Sequence, residues 1–98
     1  MENNVVKLNF KENLTMLAGY EYGAQVYSQQ ATSLDFSKKF TVVFPDTVIG
    51  VASSFIQGFF AYAKKSVGLN VLKSNINIKS RSEELSDKII GKLYLHGD

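Results

Sequence analysis

Apolar and polar residues alternate from Val5 to Phe10, with Val6, Leu8 and Phe10 on one side and Lys7 and Asn9 on the other. That two-residue period predicts a half-buried strand. Between Lys11 and Gly19 the pattern is ambiguous: Leu14, Leu17 and Ala18 fit a helical turn, while Gly19 caps such a turn or opens a loop equally well. The stretch reads as a turn. Tyr20, Ala24, Tyr27 and Ala31 then recur at helical spacing, with Glu21, Gln25, Ser28 and Gln29 left for water, so a first helix runs to about Gln30. After a polar connection from Ser33 to Lys38, Phe40-Thr41-Val42-Val43-Phe44 is a β-branched and aromatic run stopped by Pro45-Asp46. It predicts a central strand buried on both faces, with helices covering it.

Two stripes follow, Phe55, Phe59 and Tyr62 beside Ile56, Phe60, Ala63 and Val67, giving a helix that is apolar around much of its circumference. Ser53 or Ser54 serves as its N-cap, and Lys64, Lys65 and Gly68 mark its end. Leu69 to Lys73 carries no decisive pattern. Ile76-Asn77-Ile78 alternates as a last short strand, and Ser82 caps a final helix with Glu83 and Glu84 in its first turn. Leu85, Ile89 and Leu93 form the inner face of that helix, and Lys88 and Lys92 come later. The order is β-α-β-α-β-α over residues 1 to 98. It predicts an α/β fold, one small domain with a mixed, largely parallel sheet and helices packed against it.

Composition narrows the chemistry. Ninety-eight residues, 45% apolar and 20% charged with one Pro, describe an ordinary folded domain with room for one core. There is no Cys, and the lone His96 lies near the C-terminus, so thiolate chemistry and histidine metal sites have little to draw on. Glu83, Glu84 and Asp87 are explained by the helix dipole, and Gly19-Tyr20-Glu21-Tyr22-Gly23 lacks the spacing of a phosphate loop. Those glycines suit close helix packing instead. A non-enzymatic protein without metal or cofactor is expected. The net charge of +2 is small, and Lys64, Lys65, Lys73, Lys79, Arg81, Lys88 and Lys92 suit a solvated face, which leaves a nucleic-acid-associated module as a minor alternative. Neither a leader pattern nor a bilayer-length apolar run is present, so the expected location is cytoplasmic, with no membrane partner.

The segment from Pro45 to Phe55 is richer in apolar residues than a connection needs. Asp46, Thr47, Val48, Ile49, Val51 and Phe55 are the candidate partner-binding residues, since the helix they lead into has more apolar surface than one sheet contact uses. Ser53 and Ser54, at a helix start that tolerates added negative charge, are the candidate switch positions.

At these residues the chain resembles the STAS-like α/β domains, a group of unknown function related to sulfate-transporter and anti-sigma-factor-antagonist domains. The likeness is carried by Phe40-Thr41-Val42-Val43-Phe44-Pro45-Asp46, by Ile49-Gly50-Val51-Ala52-Ser53-Ser54-Phe55 and by Ile76-Asn77-Ile78, within about residues 20 to 95. It implies a non-catalytic regulatory role through protein contacts, with a histidine-kinase-like ATPase or an anti-sigma-type regulator as partner. In antagonist members an Asp-Ser pair precedes the helix and the serine is phosphorylated; Ser53 matches that serine, and Ala52 stands where the Asp would be. A homodimer is a further expectation, because a half-exposed apolar helix can be covered by its own copy. The competing reading is a small ligand-binding protein or enzyme with an apolar pocket beneath the aromatic helix.

Overall fold

The alternating start of the chain becomes strand β1 (Val5–Lys7), the aromatic run becomes β3 (Phe40–Val43), and Ile76–Lys79 becomes β5. Between them lie β2 (Met16–Leu17), α1 (Tyr20–Gln30), β4 (Gly50–Val51), α2 (Ser53–Phe59) and α3 (Ala61–Asn75), and α4 (Glu83–Lys92) closes the order. The computed structural model describes residues 4–10 and 14–94, so His96 lies outside the described residues. The main sheet is parallel throughout in the order β1-β3-β5, and β2 pairs with β4 in a second, two-stranded parallel ladder. The α/β class with a largely parallel sheet and packed helices is therefore what the chain adopts.

Register explains which face is covered. Val6, Val42 and Ile78 lie side by side, and this row, with Phe40, Phe44 and Leu8, turns toward the core. The rows Val5-Thr41-Asn77 and Lys7-Val43-Lys79 point the other way. There Thr41 and Val43 are only partly buried, while Val5, Lys7, Asn77 and Lys79 are exposed, and Asn77 donates across the strands to the Thr41 hydroxyl at 3.2 Å. The expectation of burial on both faces is thus corrected. The flanking strands bring lysine and asparagine to the second face, which keeps it wet despite the apolar run of the central strand.

Two of the helices differ from expectation. On α1 the buried positions are Gly23 and Val26, with Tyr22 and Tyr27 packed against the core, whereas Tyr20 is exposed. The expected stripe is rotated because glycine, which hydropathy does not count as apolar, faces the neighbouring helix. A side chain at Gly23 would overlap the Phe55 carbonyl, and one at Gly58 would overlap the Tyr20 carbonyl. Each helix thus offers a glycine to the other's backbone, and α1 and α2 meet at a separation no larger residue permits.

The long aromatic helix is divided. It breaks at Phe60 (φ −99°, ψ 11°), where α2 gives way to α3. Gly68 does not end it: φ 84° and ψ 158° kink α3 there, and the helix resumes to Asn75 with Leu72 fully buried. Leu69 to Lys73 is helical for that reason. The final helix follows its sequence signals, with the Ser82 hydroxyl accepting from the Leu85 amide at 3.1 Å and Leu85, Ile89 and Leu93 buried.

Phe40, Phe44, Phe55, Phe59 and Phe60 are fully buried, and their rings pack edge-on or offset: Phe36 on Phe40 at 4.9 Å, Phe59 on Phe60 at 4.8 Å. Such a core depends on the helix spacing. Gly58→Ala should therefore destabilise the protein by about 3 kcal/mol in urea unfolding, because the new methyl meets backbone that cannot yield. Gly91→Ala, in α4 with open space around it, should stabilise by about 0.5 to 1 kcal/mol through helix propensity alone. Equal effects at the two positions would contradict the close helix contact.

Candidate functional site

Pro45 ends the central strand, and its carbonyl accepts from the Val48 amide at 3.1 Å, closing a tight turn. Asp46 and Thr47 form its tip and are exposed. Past the turn the chain is pinned to the stretch before α1: the Ile49 and Gly50 amides both donate to the Thr15 carbonyl (2.8 and 3.2 Å), and the Ala52 amide donates to the Leu17 carbonyl at 2.7 Å. The ladder sets Met16 against Gly50 and Leu17 against Val51. Leu17 and Val51 turn inward, and the Met16 thioether lies where a Gly50 side chain would be.

A second brace comes from α4. The Lys92 ammonium donates to the Val51 carbonyl at 2.5 Å, Gln57 Nε2 donates to the Lys92 carbonyl at 3.0 Å, and the Lys64 ammonium donates to Gln57 Oε1 at 2.6 Å. These bonds join α2, α3 and α4 around one strand. The connection is consequently a tethered ribbon.

That ribbon sorts the expected docking residues into two sets. Asp46, Thr47 and Ile49 are on the surface. Val48, Val51 and Phe55 are fully buried, so their side chains cannot meet a partner while the domain is folded. The expected surplus of apolar surface on the aromatic helix is also absorbed internally: Phe55, Ile56, Phe59 and Phe60 are all enclosed, with α1 close enough to cover one side. What stays outside is smaller and differently placed. Tyr62 of the expected stripe remains 56% exposed at the start of α3, and on the ribbon Met16 of β2 is 55% exposed and Ile49, just before β4, 54%. Met16 falls where the sequence pattern was ambiguous, and a two-residue parallel ladder leaves no periodicity to read.

The serines separate as well. Ala52 is the N-cap of α2, with extended backbone and no side-chain bond, and neither serine caps the helix. Ser54 is exposed, and its hydroxyl accepts from the amide of Gly19 at 2.9 Å, the residue that caps α1. Ser53 is half-buried. Both serines lie inside the first turn of α2, one and two places after the cap, and Gly19, which donates to Ser54, itself takes φ 102°.

Among the described residues no three His, Cys, Asp or Glu side chains gather to hold a metal ion, and no helix is long and apolar enough to cross a membrane. Three groups have their ionisation moved by the fold. Burial raises Tyr27, with Tyr62 adding to it, and burial raises Tyr94; the Ser37 hydroxyl and amide hold Asp35 below the usual carboxylate range. Raising a phenol keeps it neutral, so neither tyrosine is prepared as a base.

Replacing Ser54 by Ala should lower stability by roughly 0.5 to 1 kcal/mol through the lost acceptor for Gly19. Ser53→Ala should change it by less than about 0.5 kcal/mol, as for a surface site without a special contact. Chemical denaturation of the two variants checks the ranking, and the reverse order would contradict the assigned geometry.

A scan against protein-family models finds no match to this chain, and searches of curated proteins and of solved structures find none either.

Proposed function

We propose that this chain is a non-catalytic regulatory domain that works by binding another protein. The observation that carries the reading is the tethered ribbon: Ile49 and Met16 are held out to solvent on backbone fixed from both sides. Exposed aliphatic side chains on immobilised backbone lose little entropy on association, which favours recognition. Asp46 and Thr47 at the neighbouring turn supply polar contacts at the rim. The enclosed packing of Phe55, Phe59 and Phe60 supports docking over the alternative of a ligand pocket beneath the aromatic helix.

A histidine-kinase-like ATPase or an anti-sigma-type regulator is the proposed partner, on the strength of the STAS-like resemblance at residues 40 to 55, and an intracellular setting goes with it. Ser54 is the better-placed hydroxyl for a switch, although Ser53 is the residue that matches the family's serine. A phosphoryl group on Ser54 would bring negative charge to the Gly19 amide and to the start of α1. A second copy of the chain is the other occupant this surface would accept.

Co-expression with the proteins encoded beside it tests the reading. Ile49→Asp should abolish capture of the partner while changing stability by less than about 0.5 kcal/mol, since the side chain is at the surface. Val48→Asp should unfold the protein, because it buries an unpaired charge. Retained capture by folded Ile49→Asp would overturn the proposal, and a dimer in sedimentation that Ile49→Asp splits would assign the surface to self-association.

A further inference from the structure

The segment from Ile49 to Val51 forms one wall of an open cleft of about 490 Å³, whose opposite wall is Arg81 and the outer flank of α4. The cations on that wall are Arg81, Lys88 and Lys92, against one carboxylate, Glu84. Lys92 is fixed in place by its bond to the Val51 carbonyl. Lys88 stands 3.7 Å from Glu84 with both side chains largely exposed, a loose pair that a competing anion displaces at small cost. Arg81 has no carboxylate within ion-pair distance among the described residues. The cleft thus has an excess of positive charge with Ile49 on one side and Leu85, nearly buried, on the other.

We propose that this cleft binds an acidic peptide segment of the protein partner, one that sets an aliphatic side chain against Ile49 and carboxylates against Arg81 and Lys88. The proposal rests on the reading of the ribbon as a docking surface and adds the chemistry of what docks there. Charge complementarity identifies the occupant, since a bidentate guanidinium and a loosely held ammonium are what carboxylates seek. Nucleic acid fits less well. No aromatic residue lines the cleft to stack a base, which sets it apart from surfaces that hold single-stranded nucleic acid.

The test uses the full chain and a fluorescein-labelled peptide of about twelve residues, Glu and Asp around a central Leu-Leu pair, read by anisotropy at low salt. Its counterparts are the same peptide with Gln and Asn, and an oligothymidine of similar length. The acidic peptide should bind at least about tenfold more tightly than the neutral one. Arg81→Glu with Lys88→Glu should remove that preference, Lys65→Glu on α3 should leave it intact, and amide shifts should concentrate at 49–51 and 81–92. Equal binding of both peptides, shifts elsewhere, tighter binding of oligothymidine, or no binding of any probe would overturn the inference. If Ile49→Asp still abolishes capture of the native partner in that case, the docking surface stands and only the acidic occupant is lost; if it does not, both fall.

Discussion

The closeness of α1 and α2 sets the positions of everything around them. Gly23 and Gly58 face the opposite helix's carbonyls, so the two backbones touch without an intervening layer of side chains. That depth brings Phe55 to 5.7 Å from Tyr22 and Phe59 to 5.9 Å from Tyr27, both in edge-on arrangements suited to aromatic packing. It also aligns the beginnings of the two helices, which lets the Ser54 hydroxyl reach the Gly19 amide. Widening the gap by one methyl would disturb the aromatic core, the capping of α1 and the ladder immediately before it together.

The same constraint accounts for the surface. Because α1 covers α2 so closely, the apolar bulk of residues 48 to 60 is consumed inside the domain and cannot serve as a broad sticky face. At the ribbon formed by 16–17 and 50–51, Met16 and Ile49 keep apolar side chains outside next to each other's strands, whereas Val5 and Val71 are exposed on other elements. The ribbon's backbone is held by Thr15 and Leu17 on one edge and by Lys92 on the other. Under the proposed docking role, a small exposed area on held backbone would favour a selective contact over a large permanent interface.

Much of the architecture was legible in the sequence because local signals were strong. Alternation at Val6 and Leu8, the run at Phe40 to Phe44 and the Ser82 cap each marked an element that formed. Glycine was the harder residue to interpret. At Gly68 it looked like a helix end and is a kink, whereas at Gly23 and Gly58 its meaning depends on a helix more than thirty positions away. The site was legible as a segment but not as a surface. A periodicity of two or of 3.6 residues cannot say which of Val48, Ile49 and Val51 turns inward when the strand is two residues long and its partner comes from the ambiguous stretch before Tyr20. Arg81 and Lys88 belonged to a distant helix in sequence, and only the fold sets them beside Ile49.

The ribbon is a rigid platform anchored by the contact of the two helices. Hydrogen exchange of individual amides measures this directly, because it reports the opening free energy of each bond. The amides of Gly50 and Ala52 should exchange about as slowly as those in the middle of α1 and α2, through global unfolding. Rapid exchange at Gly50 and Ala52 beneath well-protected helices would contradict the account, since it would mean that the segment opens independently of the core.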